Sequence, residues 1–296
     1  MKKLIYLLLV LPLFMASCSN DEVIQNEEIV QVSFSADISR RIGTRSETEV
    51  LSVNKVVCAV FDEKDNCKEV LREKKDIVAG QPIVFEPRLI KGRSYYVSFW
   101  AMKDENYNVD DMRNIFRKES STESDYDAFT ASRKVENILN ATSLNVELTR
   151  PLAQLNIGIT VDDWNAVCGE PLYKEPKSVE ISNLGSSSFD AMLGQAVGDD
   201  VVRTFDVSGD EFEINGQNFK SLAKCYLFPT GETQDLSIKV NDDKGEEIRT
   251  VDVTFVPFKK NYKTNLSGSF MTGTVCFNVT LEDTAFDGDE NNDIEI

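Results

Sequence analysis

Histidine does not occur anywhere in the 296 residues. Its absence removes Ser-His and Cys-His nucleophile pairs, histidine-ligated zinc and haem, and the commonest acid/base group at neutral pH. Positive charge is also scarce, with 32 Lys and Arg against 50 Asp and Glu, a formal −18. A chain of that sign has no overall field with which to neutralise phosphates, so no nucleic-acid partner is expected. The six cysteines form no C-x-x-C, which leaves neither a redox dithiol nor a zinc knuckle. No G-x-S-x-G or G-x-x-x-x-G-K stretch is present either. Paired carboxylates for glycoside hydrolysis are not defined by sequence, because their separation in space decides that chemistry. The expectation is a protein that is not an enzyme, with no cofactor and no metal.

What is present is a globular composition, 41% apolar and 28% charged. The first residues read as an address. Lys2 and Lys3 precede an apolar stretch from Leu4 to Met15, too short to span a bilayer comfortably, and Ala16-Ser17 precede Cys18. This resembles a bacterial lipoprotein signal (1–17) in which Cys18 is acylated and tethers the chain to the outer membrane. The acidic linker that follows (18–28) looks like the tag that sends such lipoproteins to the outer face. Cys58, Cys225 and Cys276 lie inside apolar runs and read as small buried hydrophobes, so no disulfide framework is expected.

Strand patterning dominates the remainder. Val30, Val32, Phe34, Ala36 and Ile38 alternate with polar residues, as do 144–148, 155–161, 236–240, 251–255 and 275–281. Residues 53–61 and 95–102 are apolar on both faces and predict central strands. The polar turns at 62–66 and 241–245 predict hairpins. Helical signal is confined to 110–118, 124–133 and 162–168, read as short connections. Some fourteen strands fit two β-sandwich domains, 29–150 and 151–282, better than one. Pro151 marks the break because it cannot donate to a central ladder. The tail, 283–296, is acidic and is expected to be flexible.

Four features invite functional readings. Asp287, Asp289, Asn291 and Ile294 match positions of a calcium loop, but Asn292 stands where glycine is needed and the bidentate Glu is missing, so a solvated tail is the better reading. Trp100 belongs to a strand run and reads as core. Trp164, in a polar turn, is open between core and a sugar-stacking surface. Residues 39–47 place Arg40, Arg41 and Arg45 in a Gly-containing loop after the first alternating strand, a site open to an Arg-specific protease. Release of that strand would leave a groove costing on the order of 10 kcal/mol to expose, and another chain's strand would refill it.

That layout, with three further stretches, resembles the fimbrillin family, the subunits of type V pili, and in particular an uncharacterised branch of fimbrillin-like lipoproteins. The stretches are 53–62 with 94–101, 150–158 (Arg-Pro-Leu-Ala-Gln-Leu-Asn-Ile-Gly), and 261–270 (Asn-Tyr-Lys-Thr-Asn-Leu-Ser-Gly-Ser-Phe). The resemblance implies an all-β fold of two tandem transthyretin-like Greek-key sandwiches joined by short helices. It also implies cleavage at Arg45, or alternatively Arg41, and assembly with other fimbrial subunits by strand exchange. A host glycan or protein receptor would be a further partner. Beyond Leu281 the chain offers only Ala285, Phe286, Ile294 and Ile296 among acids, a poor donor strand, so anchor and tip roles stand beside a shaft role. The alternative is a glycan-binding outer-membrane lipoprotein serving a nutrient importer, for which aromatics exposed on one sandwich face would be the mark.

Overall fold

The computed structural model describes residues 27–38, 53–78, 81–118, 123–169, 174–214 and 216–282. The expected Cys18 lipidation site, the Arg41 and Arg45 processing sites, the signal and the acidic tail all lie outside the described residues.

The alternating and doubly apolar segments form strands because pairing on one or both sides satisfies their backbone while their apolar faces close on one another. The first half contains β1 (Ile29–Ile38), β2 (Lys55–Asp62), β3 (Lys68–Asp76), β4 (Ile83–Phe85), β5 (Arg88–Ile90), β6 (Tyr95–Met102), β7 (Tyr107–Asn108), β8 (Ile115–Arg117), β9 (Ala128–Val135) and β10 (Thr142–Leu148). One sheet runs β3-β2-β6-β9, so the two doubly apolar runs are its central pair, as expected. Opposite it, β1 lies between β10 and the short β4 and β5. One core lies between these sheets, built from alternate residues of β1, β2, β6 and β10 with Phe85 and Leu89.

The second half contains β11 (Ala153–Thr160), α1 (Val161–Gly169), β12 (Ser178–Ser182), β13 (Ser186–Asp190), β14 (Gln195–Asp200), β15 (Arg203–Asp206), β16 (Glu211–Ile214), β17 (Gln217–Leu227), β18 (Thr233–Asn241), β19 (Glu247–Pro257), β20 (Lys263–Ser269) and β21 (Cys276–Glu282). Sheet β16-β17-β11-β20-β21 faces sheet β15-β12-β18-β19 across a second apolar core. The all-β class read from the sequence is what the structure shows, with twenty-one strands among the described residues in place of fourteen. The additional ones are mostly edge pieces too short to show a period.

A fifth sheet, β14-β13-β8-β7, takes strands from both sides of Pro151. Phe189 of β13 pairs with Ile115 of β8. This sheet packs on the outer face of β2 and β6, where Trp100 meets Tyr107 at 5.2 Å, Phe189 at 5.5 Å and Phe228 at 6.2 Å between ring centroids. Trp100 is core, as expected. Beside it, Arg117 and Arg203 both donate to the Tyr226 carbonyl oxygen, and Glu123 accepts from Arg203 at 2.9 Å and from the Tyr226 N–H at 3.0 Å.

Two helix expectations fail. Residues 110–118 form turns and then β8, because the Asn108 and Asp111 side chains accept the N–H groups of Asp110 and Arg113, and the following residues pair with β13. Residues 124–133 give a short 3-10 turn, Glu123–Tyr126, and then β9, whose eight-residue pairing with β6 overrides local preference. The third helix forms as α1. Cys276 is exposed on the edge strand β21, contrary to expectation, since the edge has no layer over its polar face. Cys58 and Cys225 are buried, and burial pushes each thiol up to about 12. All five described cysteines are unpaired.

Candidate functional site

β1 is held on both sides. It runs parallel to β10 from Val32 opposite Thr142 to Ile38 opposite Leu148. On its other side it is antiparallel first to β5, with Ile29 opposite Ile90, and then to β4, with Phe34 opposite Phe85. Between those two partners the Val32 N–H donates to the Pro87 carbonyl at 3.1 Å. The alternation seen in the sequence is realised in full: Val30, Val32, Phe34, Ala36 and Ile38 all point into the core. Phe34 is fully buried, with its ring centroid 5.9 Å from that of Phe99, which in turn lies 5.8 Å from Phe85. At ~1.5–3 kcal/mol for each large side chain, the strand contributes on the order of 10 kcal/mol of apolar burial. Removing it would leave an open groove between β10 and the β4-β5 pair.

At the head of β1 the chain enters through an open cleft of about 650 Å³, lined by Glu27, Glu63, Lys64, Lys91, Gly92 and Arg93 among others. Gly92 takes φ +78 in the turn between β5 and β6, a conformation that favours glycine, and its N–H donates to Ile138 at 2.7 Å. The turn presents Lys91 and Arg93 to the incoming chain. Glu28 pairs with Lys91, and Glu27 with Arg93. Arg93 also donates to the buried Asp62 at 2.6 Å, and Asp62 accepts the Lys64 N–H at 2.9 Å, so the guanidinium is fixed from below. The Asp62 bond, and after it the Glu27 bond, raise the Arg93 pKa, while the Lys91 ammonium lowers that of Glu28. Nothing local in the sequence ties Glu27 and Glu28 to a Lys-Gly-Arg turn more than sixty residues later, so these partners escaped the reading from sequence.

The three stretches that carried the family resemblance prove to be spatial neighbours. Residues 53–62 and 94–101 form the antiparallel β2-β6 pair, with Val57 opposite Trp100. Residues 150–158 and 261–270 run in parallel as β11 and β20, with Gln154 opposite Lys263 and Ile157 opposite Leu266. Arg150 donates to Asp127 through both Nε and Nη2, at 2.5 and 2.7 Å, and to Asn261 at 3.1 Å. Across the outer face, Gln154 donates to Asn156 at 2.8 Å, Asn156 to Asn265 at 2.7 Å, and Asn265 to Glu282 at 2.6 Å.

Trp164 on α1 is half-buried against the second core and packed over Gly209. Its neighbour Asp163 accepts the N–H groups of Phe270, Met271 and Thr272 at 2.8–2.9 Å, together with the Thr272 hydroxyl. Phe116 on β8 and Phe255 on β19 are the exposed aromatic side chains among the described residues, and they stand on different sheets. Among the described residues no cluster of three or more Cys, Asp or Glu side chains is placed to hold a metal ion, and no helix is long and apolar enough to cross a membrane. The calcium-loop positions Asp287, Asp289, Asn291 and Ile294 lie outside the described residues.

A protein family described as a family of unknown function, DUF6562, matches residues 23–296. No curated protein matches the chain. Among solved structures, the fimbrial anchor protein Mfa2 from Porphyromonas gingivalis is similar at 11% identity with a TM-score of 0.51, covering 86% of this chain and 98% of that one. A candidate polysaccharide-binding protein (DUF1812) from Bacteroides thetaiotaomicron is similar at 12% identity and TM-score 0.51, covering 86% and 96%. A candidate cell-adhesion protein from Parabacteroides distasonis is similar at 13% identity and TM-score 0.50, covering 86% and 95%. The fold is thus shared with a fimbrial anchor protein, in line with the resemblance carried by the three stretches.

Proposed function

We propose, from the premise that the chain belongs to the DUF6562 family, that it is a structural or accessory subunit of a fimbria-like surface assembly. The groove filled by β1 is its assembly site. The single observation that carries this reading is β1 itself, a first strand with five core-facing side chains, inserted between β10 and the β4-β5 pair. Backbone pairing on both sides supplies affinity, and alternate pockets supply selectivity, the two ingredients of strand addition. The fold shared with a fimbrial anchor protein supports the same direction. In this reading Cys18 carries the lipid that holds the precursor on the outer face of the outer membrane. Cleavage at Arg45 or Arg41 frees β1, and another subunit's strand takes its place. An uncut, lipidated anchor keeps β1, and a tip subunit receives without donating.

The glycan-binding alternative draws less support, because Phe116 and Phe255 do not share a sheet face. The deciding experiment adds an Arg-specific protease to the purified precursor. Loss of the residues up to Arg45 or Arg41, followed by a ladder of oligomers on gels, is the expected result. A chain that is cleaved there yet neither assembles nor takes up an added β1 peptide, or that binds oligosaccharide without doing either, overturns the proposal.

A further inference from the structure

Alternating strands have a weakness in register. A slip of one residue turns every side chain to the wrong face, but a slip of two keeps the faces correct. In β1 the core-facing residues are Val30, Val32, Phe34, Ala36 and Ile38, so only the bulk of Phe34 and the narrow station of Ala36 oppose a two-residue slip. The head of the groove supplies a second constraint. Its cleft gathers Lys64, Lys91 and Arg93, and its own acid, Glu63, is already paired with Lys134 at 2.7 Å. In a chain of formal charge −18 this is a local reversal of sign. Arg93 is anchored on the buried Asp62, and Lys91 stands in a turn held without β1, by the Gly92 N–H donating to the Ile138 carbonyl at 2.7 Å and the Arg93 N–H to the Ile90 carbonyl at 3.4 Å. Both cations therefore keep their places whichever strand lies in the groove.

We propose that this cleft is a carboxylate clamp that selects the strand admitted to the groove and fixes its register. It accepts an extended segment whose first inward apolar residue is led by two adjacent acids, as Glu27-Glu28 lead Ile29-Val30 here. The inference rests on the strand-exchange reading above and adds the chemistry of the partner. Lys91 and Arg93 are the specificity-determining residues. The surrounding negative charge of the protein discourages acidic segments elsewhere, so an acid-led strand finds its favourable contact at this one end of the groove.

Two measurements test it, both on the full chain. First, Glu28→Lys and Lys91→Glu are made singly and together, sparing Arg93 so that Asp62 is not left buried without its cation. Each single change should lower hydrogen-exchange protection of the amides from Gln31 to Asp37 by about threefold to tenfold at low salt. The paired swap should restore it, with amides 154–160 of β11 unmoved throughout. Protection that does not change, or that the swap fails to restore, overturns the clamp.

Second, a labelled peptide of sequence 27–38 is offered beside its E27K/E28K counterpart to the full chain nicked at Arg45 or Arg41, so that β1 is free to leave the groove. Retention of the acidic peptide by roughly tenfold or more, with the preference lost in 1 M salt where screening acts within about 3 Å, supports the selection. Equal retention of both peptides overturns it and leaves strand exchange standing. Retention of neither, with the intramolecular swap still restoring protection, overturns strand exchange and leaves the clamp as the register lock of the chain's own strand.

Discussion

β1 and β11 hold the same station in the two halves of the molecule. Each opens its half, runs parallel to a late strand of that half, β10 or β20, and is antiparallel to another strand on its other side. Each presents a row of inward apolar side chains, five from β1 and Ala153, Leu155, Ile157 and Ile159 from β11. Their difference lies in the connections. β11 is bracketed, since Arg150 just before it is bonded to Asp127 and Asn261, and Thr160 passes directly into α1, whose Asp163 is bonded to the segment after β20. Its outer face is stitched to β20 and β21 through Asn156, Asn265 and Glu282. β1 is met at its head by two surface ion pairs and is separated from β2 by residues 39–54. Pairing makes a strand valuable to its sheet, and the connections decide whether it can be exchanged.

The largest expected effect comes from deleting residues 29–38. The loss is on the order of 10 kcal/mol of apolar burial, comparable to the whole net stability of a typical domain. Urea denaturation with size-exclusion chromatography should show a destabilised, self-associating protein that the 27–38 peptide rescues. A truncated chain as stable and monomeric as the parent sinks the groove.

A matched pair of core truncations sharpens the contrast. Phe34→Ala and Ile157→Ala should each cost roughly 2–5 kcal/mol. Hydrogen exchange should show Phe34→Ala opening β1 selectively, while Ile157→Ala loosens β11, β17 and β20 together. If both variants loosen only their own strand, β11 is no more tightly bracketed than β1.

The smallest effect concerns the pin on β11's side. Burial pushes the Asp163 carboxyl up, but the Thr272 hydroxyl and three backbone N–H donors outweigh it and hold its pKa below the ordinary carboxylate range. A depressed folded pKa contributes stability that is present above the unfolded value and is lost as pH falls through the folded one. The second half should therefore weaken below about pH 4, and Asp163→Asn should remove that part of the acid dependence at a cost of about 1–3 kcal/mol near neutrality. A thermal-denaturation series against pH, identical for parent and variant, would show that Asp163 is not the pin.

Much of this architecture was legible because alternation is a local property. Val30 to Ile38, 144–148 and 236–240 announce half-buried strands, and 53–61 and 95–102 announce central ones, from side chains within a single strand. The hairpins at 62–66 and 241–245 are equally local. What depended on distant partners was not legible. Residues 115–117 and 128–135 carry helix-compatible patterns and become strands only because β13 and β6 lie beside them. Cys276 sits in an apolar run like Cys58, yet β21 is an edge and β2 is not. The cleft at the head of β1 brings together Glu27, Asp62 and Arg93, three positions with no pattern in common.

The sheet β14-β13-β8-β7 has a mechanical consequence. Bending between the halves would have to break the β13-β8 ladder and bring Trp100, Phe189 and Phe228 into water. Under tension the two halves would therefore move as one stiff body rather than as two beads on a hinge. Its end-to-end length would stay constant under load.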